Sequence, residues 1–189
     1  MIPRAAARPL ALAAVVLTAV SVLVSLYVAI VGAEFAAIGA VLAVITLGEL
    51  AAAVAVVACG AAGRGALAVT GLVVTAVGQL GFFAAHIINL IDEAAAAPLY
   101  ATAPIVTGVG MVVLGIAVLR AQVFDGFARA LPLLVGLWML VIAIPTIIIV
   151  DGPPALAAVL TLVVWDLLWL GTAVAVLTHV RTATRVPVA

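Results

Sequence analysis

Apolar residues fill this chain in six long blocks, near Leu10–Val31, Ala36–Ala61, Ala66–Ile91, Leu99–Leu119, Ala130–Val150 and Pro154–Val180. Each block approaches or exceeds the roughly 20 residues that an α-helix needs to cross a bilayer's hydrocarbon core. Polar positions collect between the blocks, in short connections around Glu34, Gly60–Gly65, the residues after Asp92, the segment around Asp125, and Asp151–Pro153. Connections this short make consecutive helices antiparallel neighbours. The pattern predicts an all-α fold, a polytopic membrane bundle of six transmembrane helices forming a single domain over residues 1–189.

The first block follows Arg4 and Arg8, as a signal sequence would. Its apolar stretch is longer than the roughly 7–15 residues of a cleavable segment, so it reads as a retained helix. Charge placement tests the count of spans. With a cytoplasmic N-terminus and six alternating helices, Arg4, Arg8, Arg64, Arg120, Arg129, Arg181 and Arg185 all fall on the cytoplasmic side, as the positive-inside rule requires. Glu34, Asp92, Glu93 and Asp151 then lie outside and Asp125 inside, while Glu49 and Asp166 stay within spans. The expectation is a multi-pass protein of the cytoplasmic membrane with both termini inside.

Composition narrows the chemistry. Of 189 residues, 69% are hydrophobic and 7% charged, and the mean hydropathy is +1.56, which excludes a water-soluble domain. The net charge is zero, so no overall field attracts nucleic acid. All seven bases are arginine, which removes lysine Schiff-base chemistry, and the single Cys59 cannot form an intrachain disulfide or a cysteine metal cage. Ser21 and Ser25 lie on the first span without a nucleophile elbow, which argues against a serine hydrolase. His86 and His179 are far apart in depth, so paired haem ligation or a histidine metal site would not close. With no phosphate loop and no Asp-rich Mg²⁺ motif, no cofactor and no metal are expected.

Two acids stand out. Glu49 in span two and Asp166 in span six are each about 12–14 residues from the outer helix ends, which puts both roughly 18–20 Å deep at a helical rise of 1.5 Å. No mid-membrane base is there to pair with them, and an ionised carboxylate at that depth is costly, so intramembrane acids read first as functional. The plainer reading is that each hydrogen-bonds a neighbouring helix. On span three, Thr75, Gln79, Phe82, Phe83, His86, Asn89 and Glu93 share one helical face, a polar and aromatic stripe from mid-membrane to the outer surface. It can line a cavity or relay protons through His86, or serve as a hydrogen-bonded helix seam. On span six, Trp169 lies one turn from both Trp165 and Asp166, and Trp138, Phe82 and Phe83 are candidates to complete an aromatic wall, suited to a cationic species. Gly78, Gly81, Gly108, Gly115 and the run Ala51–Ala53 are expected to let helix backbones approach closely, and Pro145 to kink or open span five.

The motifs Gly48-Glu49-Leu50 and Trp165-Asp166-Leu167 resemble the small integral-membrane terpene cyclases of meroterpenoid and indole-terpenoid pathways. That resemblance implies two acids that begin cyclisation by protonating an epoxide or olefin. The overall texture, including Gly115-Ile116-Ala117-Val118-Leu119-Arg120, is also similar to six-span bacterial membrane proteins of Arg-rich, Lys-free composition. Three functions therefore compete. The first is acid-catalysed cyclisation or isomerisation of a lipophilic isoprenoid, with Asp166 as proton donor, Glu49 as second acid or base and His86 as relay. Gln79, Phe82, Phe83, Asn89, Trp138, Trp165 and Trp169 would form its substrate pocket. The second is a proton-coupled transporter, channel or substrate-binding subunit using the same acids. The third is an adaptor binding another membrane protein or a second copy of itself. The expected partners are a lipophilic small molecule and the bilayer. Polar groups reach the outer face but the inner halves of the spans are nearly pure Ala, Val and Leu, which favours a blind pocket over a through-path.

Overall fold

The computed structural model describes residues 6–31, 38–150, 152–153 and 155–183. Arg4, Glu34, Asp151 and Arg185, to which the sequence assigns sides, lie outside the described residues, as do two of the expected span ends, Ala36 and Pro154.

Among the described residues there is no strand, and six helical segments are long and apolar enough to cross a membrane. The chain is an all-α, multi-pass membrane protein. The spans are α1 (Ala7–Val31), α2 (Gly39–Ala58), α3 (Ala66–Asn89), α4 (Glu93–Ala121), a fifth built in pieces, and α7 (Leu156–Ala183). The fifth begins with a 3₁₀ turn at Gly126–Ala130, continues as α5 (Leu131–Trp138), widens into a π-helical turn at Met139–Ala143 and ends as α6 (Ile144–Ile149). The helices pack in chain order, α1 on α2, α2 on α3, α3 on α4 and α4 on α5, and α7 closes the ring by packing on α1, α2 and α5.

Bilayer helices gain little from burying apolar surface against one another, so contact depends on how closely backbones can approach. Glycines supply that approach here. A methyl group on Gly71 or Gly78 of α3 would strike the backbone of Leu114 or Thr107 on α4, and one on Gly110 would strike Thr75 on α3. Gly115 and Gly136 do the same between α4 and α5, against Leu133 and Val112. Gly81 faces Ala103 and Gly108 faces Leu140, so each of the four glycines singled out in the sequence lies against a neighbouring helix. Gly78→Ala is expected to cost about 1–3 kcal/mol, because Thr107 backbone cannot retreat without moving α4. A drop in the unfolding midpoint in detergent would register it, and an unchanged midpoint would mean the two helices do not meet there.

Span four departs from its sequence boundary for an identifiable reason. Span four starts at Glu93, not Leu99, because Asp92 caps it, its Oδ1 accepting the Ala95 N–H at 3.0 Å. Glu93 is therefore the first residue of α4 and not the end of the α3 stripe. Pro145 does open span five, and it does so upstream. Proline has no N–H to donate and its ring crowds the carbonyl four residues earlier, at Val141, inside the π-helical turn that absorbs the clash.

The ends of the bundle differ in charge. Arg8, Arg64, Arg120, Arg129 and Arg181, with Asp125, mark one end, while Asp92 and Glu93 mark the other. The half nearer the arginines is closed by a core of Ala11, Ala14, Ala52, Val56, Leu114, Val118, Trp169 and Val176, among others.

Candidate functional site

The other half of the bundle holds a cavity of about 1050 Å³, within reach of the range for drug-sized ligands. Glu93, Ala97, Ile148, Gly152 and Pro153 surround its mouth, at the end away from the arginines. Leu42, Ile45, Phe82, Met139, Leu162 and Trp165 supply its walls, and Ser21, Ser25, Glu49 and Asp166 its depth. Met139 opens the π-helical turn, so the irregular stretch of span five borders the cavity. Below Glu49 and Asp166 the packed alanine and valine core fills the section, and the cavity is blind.

Glu49 is the eleventh residue of α2 and Asp166 the eleventh of α7, and both helices start at the mouth end. At 1.5 Å per residue both lie about 15 Å down, a matched depth shallower than the sequence estimate because α2 and α7 begin later than the apolar blocks. Each carboxyl is nearly enclosed, 3% exposed for Glu49 and 4% for Asp166, and each is held by a neutral donor. Ser25 Oγ–H donates to Asp166 Oδ2 at 2.7 Å, joining α1 to α7. Gln79 Nε2–H donates to Glu49 Oε2 at 2.9 Å, joining α3 to α2. One oxygen of each carboxyl is fixed in this way while the residue as a whole faces the cavity. Neither forms a salt bridge among the described residues.

Nearer the mouth, His86 on α3 and Tyr100 on α4 share a hydrogen bond between Nδ1 and the phenolic oxygen at 2.9 Å, with their rings edge to face at 5.3 Å. Phe82 continues the line inward, stacked on His86 at 6.2 Å and tilted against Trp165 at 6.1 Å. Trp165 meets Trp169 edge to face at 6.0 Å. An aromatic chain thus runs from the mouth to the residue beside Asp166.

Of the residues chosen from sequence, Glu49, Phe82, His86, Asn89, Trp165 and Asp166 line this one cavity. Gln79 lies behind Glu49, fully buried, as its hydrogen-bond donor. Phe83, Trp138 and Trp169 do not line it. Phe83 is half-buried off the cavity, because a residue one step from Phe82 is turned by about 100° around the helix. Trp138 points its N–H at the Thr161 carbonyl at 2.8 Å and ties span five to α7. Trp169 is wholly enclosed in the core behind Trp165. Thr75, at the inner end of the stripe, packs into the α3–α4 seam against Gly110.

Sequence reasoning missed Ser21, Ser25 and Tyr100. The two serines were judged only as nucleophiles, although their spacing of four sets both on one face of a largely apolar helix. Tyr100 was legible from the hairpin, because residues equally distant from a tight turn between antiparallel helices come side by side. Among the described residues no group of three or more His, Cys, Asp or Glu side chains could hold a metal ion.

Comparison with known proteins adds no identification. No protein-family model, no curated protein and no solved structure matches the chain.

Proposed function

We propose that this protein catalyses the proton-initiated isomerisation or cyclisation of a lipophilic isoprenoid within the membrane. The observation that carries this reading is the meeting of two mid-helix carboxyls, each oriented by a neutral donor, in one blind cavity walled by Phe82 and Trp165. A proton donor and a proton acceptor in one apolar chamber are the minimum for acid–base isomerisation.

In the proposed step, protonated Asp166 delivers its proton to one carbon of an olefin, whose π electrons form the new C–H bond and leave a cation on the other carbon. The faces of Trp165 and Phe82 stabilise that cation through their ring quadrupoles. It then either is attacked by a second olefin, closing a ring, or loses a neighbouring proton to ionised Glu49. Loss of that proton restores a neutral product with its double bond moved. Net transfer of one proton from Asp166 to Glu49 is reversed between turnovers, with His86 and Tyr100 at the mouth as the route to the aqueous end. The apolar walls of Leu42, Ile45, Phe82 and Met139 limit the access of water to the cation.

Placement of the arginines supports an orientation in which their end faces the cytoplasm, the membrane is the cytoplasmic one and the cavity opens outward. Cysteines introduced for Arg64 and Asp92, in a Cys59→Ser background, are expected to react with a membrane-impermeant reagent from opposite sides, Asp92 from outside. Reaction of both from one side would overturn the arrangement.

The polar mouth of His86, Asn89, Glu93 and Tyr100 favours a second reading, a one-sided binding subunit or proton-linked carrier for a small solute. Purified protein in nanodiscs, incubated with a set of C15 to C30 polyprenyl compounds and analysed by mass spectrometry, decides between them. Formation of a rearranged product of unchanged mass is expected. Absence of any product, together with pH-driven solute flux in proteoliposomes that Glu49→Gln removes, would replace the enzymatic reading by transport.

A further inference from the structure

α4 and span five meet at close contacts that step in opposite directions along the two helices, Gly115 on Leu133, Gly136 on Val112 and Gly108 on Leu140. The same stepping would next set Pro104 against Ile144 and Tyr100 against Ile148. The packing stops instead, because α6 leans on α7 and makes almost no contact with α4. Prolines on both sides account for the divergence. Pro98 and Pro104 lie inside α4 and Pro145 in α6, and each removes an N–H and crowds the carbonyl four residues earlier, which bends a helix. The cavity reaches into the gap, lined there by Ala97, Tyr100 and Pro104 of α4 and by Ile147 and Ile148 of α6. Ala97 is also exposed and Ile148 is 74% exposed, so one residue on each side of the gap borders both the cavity and the outer surface. Pro104 is the twelfth residue of α4, about 17 Å below its start at 1.5 Å per residue, close to the depth of Glu49 and Asp166.

We propose that the gap between α4 and α6 is a side entrance, through which an apolar chain of a bilayer lipid, from the leaflet away from the arginines, enters the cavity and lies along Leu42, Ile45 and Met139. A gap at hydrocarbon depth faces lipid chains, since the bilayer core holds no water to fill it. Its borders suit such a chain. Ala97, Ile147 and Ile148 carry no polar side-chain atom, and neither do the exposed Ala101 and Pro145 nearby. The polar groups of the mouth, His86, Asn89 and Glu93, gather instead about the α3–α4 turn. The cavity therefore has an aqueous approach on one side and a lipid approach on the other, and an apolar guest reaches Glu49 and Asp166 without leaving the bilayer. The assignment rests on the reading of this cavity as a pocket for a lipophilic guest, and not on any conversion of that guest.

The test places the purified protein in nanodiscs containing a phosphatidylcholine with a diazirine on its acyl chain, and maps the light-induced label by peptide mass spectrometry. On α2, Val41 and Val44 are exposed on the outward face, whereas Leu42 and Ile45 are buried and line the cavity. Label is expected on all four in wild-type protein. Label on Val41 and Val44 with none on Leu42 and Ile45 would overturn the entrance. The gap is then bridged by a short bismaleimide between cysteines introduced as Ala97→Cys and Ile148→Cys in a Cys59→Ser background. Bridging is expected to lower the label on Leu42 and Ile45 by at least a large fraction while Val41 and Val44 keep theirs, and undiminished label overturns the proposal. A small water-soluble diazirine, entering past Gly152 and Pro153, should mark Leu42 and Ile45 with or without the bridge. Loss of the aqueous label together with the lipid label would mean a single mouth and overturn the side entrance. Should the bridge not form, the wild-type map decides alone. Lipid label on Leu42 and Ile45 without any polyprenyl product would refute the enzymatic proposal and leave this one standing.

Discussion

Asp166→Asn is expected to reduce product formation from a polyprenyl substrate by about 100-fold to 10,000-fold, the span associated with loss of a general acid. The amide keeps the shape of the carboxyl and can still accept from Ser25, so folding and substrate binding should survive. What it loses is an acidic proton. Glu49→Gln should impair the same reaction or divert its product, since the amide beside Gln79 cannot receive a proton from the cation. The measurement is single-turnover product formation in nanodiscs at equal occupancy of substrate. Retention of more than about a tenth of the wild-type rate in Asp166→Asn would remove Asp166 from the donor role.

Trp169→Ala should act first on stability. Its side chain is wholly enclosed, and truncating a buried tryptophan leaves a void whose lining loses its packing contacts. Because lipid is as apolar as the protein core, the hydrophobic transfer term is small in a bilayer and packing dominates. A loss of about 3 kcal/mol is therefore expected, at the lower end of the range for aromatic truncation. Unfolding in mixed micelles measures it. Trp165 leans edge-on against Trp169, so substrate selectivity should also blur as Trp165 gains freedom to turn. Trp169→Phe, which refills most of the space, should recover both. A Trp169→Ala protein of wild-type stability would show that the ring is not packed as described.

These two residues mark how far the candidate site was legible from the sequence. Asp166 declares itself, because an acid in the middle of an apolar span is costly wherever it points. Trp169, one turn away, carries no such signal. It shares the helical face of Trp165 and Asp166, as the spacing implies, but lies one turn deeper, below the floor of the cavity and inside the packed core. Ser25 shows the reverse case, a residue of no apparent consequence on α1 that becomes the donor to Asp166 once α7 closes on α1.

What the sequence by itself determined is the set of spans, their alternation, the opposite charge character of the two ends and the matched depth of Glu49 and Asp166. All of these follow from constraints that act along one helix at a time. Hydrocarbon must be crossed by about 20 apolar residues whose backbone groups are paired internally, and depth is rise times residue number. What only the tertiary structure decided is which face of each helix looks inward. In water that choice is written as an apolar stripe on a polar helix. In a bilayer the lipid-facing and core-facing sides are equally apolar, and rotation is set instead by close contacts such as Gly78 on Thr107 and Gly115 on Leu133. Those contacts pair residues on different helices. They bring Ser25 to Asp166, Gln79 to Glu49 and Tyr100 to His86, and leave Phe83 and Trp138 outside the cavity.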